Sequence, residues 1–195
     1  MTTRQTARIS RLSIVFLVVT AVFVWRFLPT ARAPTEKLGQ ALQNNQPGLF
    51  EVSRFVDGDT IVVDMQGKAE KVRFIGVDTP ETHKPNTPVQ CYGPAAAAHT
   101  KAVIGNNRVR LESDSLSTDR DRYDRLLRYV YLPDNTLVNE NLIQNGYGFY
   151  YPYFPFTKAE QFATAQQAAQ ASLKGLWGNC NPIKKGAGYE SNTAG

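Results

Sequence analysis

Residues 55–82 read FVDGDTIVVDMQGKAEKVRFIGVDTPET, and two turn signals inside this stretch decide the fold. Asp57-Gly58 and Gln66-Gly67 both suit tight hairpin turns, and Val, Ile and Phe crowd the runs around them. The pattern predicts a three-stranded meander over Leu49–Val56, Thr60–Asp64 and Ala69–Val77. With Gln66-Gly67 as a two-residue loop, Met65 pairs with Lys68, and the same register sets Thr60 opposite Arg73 and Asp59 opposite Phe74. The sheet end carrying Asp57-Gly58-Asp59-Thr60 then also carries Asp78-Thr79-Pro80-Glu81. Asp57, Asp59, Asp78, Glu81 and Arg73 meet at one rim.

Carboxylates this close repel one another unless a cation compensates. An all-oxygen set of Asp59, Asp78, the Thr79 carbonyl and waters suits a hard divalent ion, Ca²⁺ or Mg²⁺. Such an ion lets an anionic phosphate approach, while Arg73 offers forked donors to its oxygens. Glu81, left off the metal, is placed to accept a proton from an attacking water. Each piece alone also reads as turn or helix-start chemistry; only their convergence points to a site.

Outward from this rim, PAAAAHTKAVIG (94–105) is helical, with proline at its start and glycine at its end. Val109–Leu111, Leu126–Leu132 and Thr136–Val138 are strand-like, and Asn139 is expected to cap a short helix stopped by Gly146. Lys158–Leu173 is Ala/Gln-rich and helical by propensity. Four to six short strands with helices inserted between and after them predict a small closed α+β sheet, an OB-like barrel with helices packed on it. Between the barrel strands, DRDRYDR (119–125) offers Arg120, Arg122 and Arg125 as phosphate contacts, and spacing alone does not choose among them. Tyr123 and the rings of residues 147–154 suit base stacking beside phosphate.

Of the 22 Lys and Arg against 17 Asp and Glu, the excess lies in the flanks. Residues 51–180 hold 14 basic and 15 acidic groups, a balance of −1, which excludes binding of nucleic acid by general basicity. The basic segment 1–11 precedes an uncharged run inside residues 12–28. That run reads as a hydrophobic helix, either an anchor with its N-terminus in the cytoplasm or a signal core cleaved near Ala33. Both place the body, residues 49–180, outside the cytoplasm. Residues 29–48 read as a linker and 181–195 as a loose tail. Cys91 and Cys180, alone in a translocated chain, are expected to form one disulfide.

The chain resembles the thermonuclease (staphylococcal nuclease) family over roughly Phe50 to Trp177. The resemblance rests on VDGDTI (56–61), RFIGVDTPET (73–82), YGPAAAAHTK (92–101), DRYDRLLRYVY (121–131), LVNENLIQNGY (137–147) and GLWG (175–178). It implies an α+β fold, a five-stranded OB-fold barrel with three helices, that hydrolyses DNA and RNA with calcium and leaves 3′-phosphate ends; the chain is expected to act as a monomer. It also implies that Asp59, Asp78 and the Thr79 carbonyl hold the ion, with Asp57 and Thr60 nearby. Glu81 would activate or orient water, Arg73 and Arg125 would bind phosphate, and Tyr123 would contact a terminal phosphate. Asp124 departs from the family's usual glycine and sets an acid beside Arg125. The rival class is a non-catalytic OB module that binds strands or a protein and releases no product.

Overall fold

A computed structural model describes residues 48–82 and 88–193. The basic start, the hydrophobic run at 12–28 and nearly all of the linker lie outside the described residues. Among the described residues, no helix is long and apolar enough to cross a membrane.

Three strands open the fold: β1 (Leu49–Phe55), β2 (Thr60–Met65) and β3 (Lys68–Phe74). Gln66 and Gly67 both take positive φ, 60° and 86°, which closes a two-residue hairpin. The register follows, from Met65 opposite Lys68 to Thr60 opposite Arg73. Next come β4 (Val77–Asp78), α1 (Gly93–Ile104), β5 (Val109–Glu112) and β6 (Leu126–Tyr131). The chain continues through α2 (Val138–Gln144), β7 (Phe149–Tyr150), α3 (Ala159–Ala171) and α4 (Leu176–Asn179). It closes with β8 (Ile183–Lys185) and β9 (Gly188–Glu190).

Strands β1-β2-β3-β6-β5 form a closed mixed barrel, with β3 parallel to β6 and the remaining pairs antiparallel. Closure leaves no free edge in the barrel. A bulge between Val52 and Arg54 bends β1 into the curve. Ile61, Val63, Val72, Phe74, Val109 and Val130 fill the barrel, and Ile104 of α1 and Phe162 of α3 join that core. Ala96, Thr100 and Ile104 recur at helical spacing and give α1 its buried stripe. The Thr100 hydroxyl donates to the Gly58 carbonyl at 2.6 Å, so α1 braces the first turn of the rim.

Three readings of the sequence are corrected here. Thr136–Val138 is no strand: Leu137 makes one isolated bridge to Tyr131, and Val138 already begins α2. Asn139 is no cap, since Leu137 holds that position without a side-chain bond. The Asn139 side chain is buried, donating to the carbonyls of Ile75 and Arg128 and accepting from the Val130 amide. It replaces ladder bonds that the barrel lacks where β3 leaves β6.

Residues 181–193 are likewise no loose tail. Strands β8 and β9 pair in a hairpin, and Tyr189 lies against Phe149 and Trp177. Packing of that half-buried ring and the Tyr153 hydroxyl's bond to the Lys185 carbonyl anchor a segment whose composition is polar. Cys91 and Cys180 are bonded, joining the turn before α1 to the end of α4.

Candidate active site

The hairpin register delivers Arg73 to the end of β3, and β4 returns Asp78 and Thr79 to the same rim. Arg73 Nη2 lies 2.7 Å from Asp78 Oδ1 and 3.2 Å from Asp59 Oδ2. Its Nη1 donates to the carbonyls of Val77 at 2.6 Å and Phe74 at 3.0 Å, which fixes the plane of the fork. Asp59 is buried and accepts from the Thr79 amide at 2.8 Å and the Thr79 hydroxyl at 3.1 Å. Its other oxygen accepts from the Thr60 hydroxyl. The two acidic stretches are thus joined by direct bonds between residues 20 apart. Gly58 permits the approach, because a Cβ there would stand 2.8 Å from the Thr79 side chain.

Burial works against the charge on Arg73, yet the Asp59, Asp78 and Asp57 carboxylates outweigh it and raise its pKa. Asp57 shows the opposite strain. Burial first, and then the Asp59 charge beside it, push its carboxyl up to about 7. Three carboxyls face one guanidinium here, an excess of anionic oxygen that a hard divalent cation relieves. The donor set of Asp59, Asp78 and Thr79 contains only oxygen and fits such an ion. Among the described residues, no three acidic, histidine or cysteine side chains stand grouped around a common point as metal ligands. Asp59 and Asp78 are turned onto Arg73 instead.

Arg125 approaches from the loop before β6. Asp121 holds it, accepting from Arg125 Nε at 2.7 Å and standing 2.7 Å from its Nη2. The other Asp121 oxygen accepts from the amides of Tyr123 and Arg125, so one carboxylate shapes the turn and aims the guanidinium. Burial raises the Asp121 pKa, but these bonds outweigh it and bring it below the usual range. Asp124 adopts φ 62°, the left-handed region that glycine normally supplies. Its charge goes to Arg120, 3.5 Å away, whose Nη1 also binds the Asp124 carbonyl and Glu70. Arg125 therefore keeps Asp121 as its carboxylate partner.

Arg73, Tyr123, Arg125 and Tyr151 line one cleft of about 800 Å³, whose far wall includes Leu116 and Phe154. Tyr123 is 64% exposed, and the guanidinium groups of Arg122 and Arg125 lie 4.8 and 5.5 Å from its ring centre. Glu81 is not among the cleft-lining residues. It follows β4 on the acidic rim, its amide and carbonyl both bound by Gln90. The structure thus gathers Asp57, Asp59, Thr60, Arg73, Asp78 and Thr79 directly, and brings Tyr123 and Arg125 to Arg73 across the cleft. Tyr151, one of the rings offered for base stacking, lines the cleft, whereas Asp121 and Gln90 escaped the sequence reading. Asp121 had a signal, an acid two residues before Tyr123 in a turn-forming run; Gln90 had none.

Residues 71–179 match the family described as staphylococcal nuclease homologue. The chain is 42% identical over 167 residues to a thermonuclease of Staphylococcus hyicus, covering 84% of this chain and 95% of that protein. It is 46% identical over 129 residues to a thermonuclease of Staphylococcus intermedius, covering 66% and 75%. Against the endonuclease YncB of Bacillus subtilis (strain 168) it is 40% identical over 146 residues, covering 73% and 68%.

Proposed function

The chain belongs to the staphylococcal nuclease family and is a nuclease, a hydrolase of phosphodiester bonds, and from that premise we propose calcium-dependent cleavage of DNA and RNA outside the cytoplasm. The observation that carries this reading is the Asp59–Arg73–Asp78 node, which shares Arg73 with the cleft holding Arg125 and Tyr123.

Asp59, Asp78 and the Thr79 carbonyl are the proposed calcium ligands, with Asp57 and Thr60 in support. When bound there, calcium supplies positive charge beside the phosphate oxygens. Arg73 and Arg125 bind those oxygens from two directions and hold the extra negative charge that develops as water attacks phosphorus. Glu81 accepts the attacking water's proton, and the leaving 5′-oxygen takes a proton from solvent, so one strand end keeps a 3′-phosphate. Tyr123, exposed beside Arg125, contacts a terminal phosphate. The rings of Tyr151 and Phe154 give the cleft apolar surface for a base. A monomer contains every residue named.

Residues 12–28 anchor or export the domain in this proposal, supported by their apolar run after Arg4, Arg8 and Arg11. Exposure of the nuclease body to added protease on intact cells, or its release into the medium, is expected; protection in both tests overturns that placement. For the chemistry, purified protein is assayed on DNA and RNA with calcium, magnesium or EDTA. Turnover with calcium, its loss with chelator and a fall of at least about a hundredfold in Glu81→Gln are expected. Undiminished cleavage in EDTA overturns the metal dependence, and parental turnover in Glu81→Gln overturns the role of Glu81.

A further inference from the structure

We propose that Gln90 is a positioning residue for Glu81, and that the C-terminal segment 191–193 holds Gln90 in place. This rests on Glu81 as the proton acceptor. Gln90 Oε1 accepts from the Glu81 amide at 2.7 Å, and the Gln90 amide donates to the Glu81 carbonyl at 2.9 Å. One residue therefore takes both main-chain polar groups of Glu81. Fixing the two peptide units that flank the Glu81 Cα sets the direction in which the Cα–Cβ bond leaves the chain, and with it the reach of the carboxylate.

The turn carrying Gln90 is pressed onto the same place. A Cβ on Gly93 would stand 2.8 Å from the Glu81 carbonyl oxygen and 3.0 Å from that of Pro80. Glycine is thus required where the two turns meet face to face. The Gly93 amide donates to the Gln90 carbonyl, closing this turn on itself.

The support of Gln90 comes from the far end of the domain. Gln90 forms an isolated antiparallel bridge with Thr193, the Cys91 amide donates to the Asn192 carbonyl at 2.8 Å, and the Ser191 hydroxyl donates to the Cys91 carbonyl at 2.8 Å. The disulfide to Cys180 holds the neighbouring residue covalently. Just before Ser191, β9 places Tyr189 against Phe149. Phe149 pairs in turn with Asp78 in the β4–β7 sheet. The C-terminal segment therefore bears on the acidic rim twice, at the strand that carries Asp78 and at the turn that carries Glu81. A carboxylate that must reach an attacking water to take its proton is sensitive to displacements of about 1 Å, which cost rate more than affinity.

The test is a two-by-two cycle of Gln90→Met and Glu81→Gln in the full chain, with steady-state kinetics on a defined DNA strand and calcium titration of each protein. Methionine keeps the length of the side chain and removes the acceptor. Gln90→Met is expected to lower kcat about tenfold while KM and half-saturating calcium stay within about twofold. On the Glu81→Gln background the same substitution is expected to change kcat by less than about twofold, since there is no proton acceptor left to misplace. Gln90→Ala, a smaller side chain with the same loss of acceptor, is expected to repeat the split. Parental kcat in both Gln90 variants, a change in KM alone, or a loss repeated in full on Glu81→Gln overturns the positioning role. Parental turnover in Glu81→Gln itself identifies the failure as that of the Glu81 assignment.

Discussion

Asn139 carries more of the fold than its place in a short helix suggests. Its carboxamide satisfies three backbone groups at the point where β3 and β6 part, namely the amide of Val130 and the carbonyls of Ile75 and Arg128. Asn139→Leu matches the volume but takes the side-chain partner from the Val130 amide and the Ile75 carbonyl in a buried place, each costing about 1–3 kcal/mol with partial relief by relaxation, while the Arg128 carbonyl keeps the Ile75 amide. A drop of about 2–4 kcal/mol in unfolding free energy is expected, measured by urea titration, with little change in the slope. The sequence invites a different reading, because Asn before an amphipathic run is a common helix cap. Nothing local separates the two roles; only the approach of Ile75, 64 positions away, decides it. Asp121 is the converse, a residue whose turn chemistry is local and whose grip on Arg125 follows from that turn.

Elements differ in how far their own residues specify them. The β1–β3 meander was legible because its turn dipeptides fix register, and register placed Asp59, Arg73 and Asp78 together. The β8–β9 hairpin was not, because its stability comes from rings on β7 and α4 rather than from alternation within it. The loop after β5 is tied down by one acid. Asp114 accepts from the Thr157 amide and hydroxyl, the Tyr129 hydroxyl and the Leu116 amide, joining β6 to the segment that leads into α3. Burial alone would raise its pKa, but these bonds outweigh burial and bring it from the ordinary 3.8 to about 2. A carboxyl lowered on folding stabilises the protein fully above 3.8, and that share is lost as pH falls through about 2. Acid unfolding followed by tryptophan fluorescence should therefore steepen in that window. In Asp114→Asn the slope there should be shallower by about one bound proton, and an unchanged slope would refute the ionised acid.

For the whole molecule, the bond between Cys91 and Cys180 spans 89 positions and closes the domain on itself. In the chain-entropy description a loop of that length is worth about 4–5 kcal/mol through the unfolded state. Replacing both cysteines by serine is expected to lower unfolding free energy by about 2–5 kcal/mol, read from denaturant midpoints under identical buffer. A change below about 1 kcal/mol would mean that the hairpin and the Tyr189 contacts alone suffice. The pairing could be expected from cysteine count and a translocated reading, whereas its link to the acidic rim through Gln90 needed the three-dimensional arrangement. Position along the chain adds a constraint of timing. Cys180 is synthesised well after Tyr131, where the last barrel strand ends. During synthesis from the N-terminus, the barrel residues emerge before their covalent staple has its second half. The cross-link therefore seals a domain whose barrel strands have already emerged, so the oxidant that forms it acts on a nearly finished molecule.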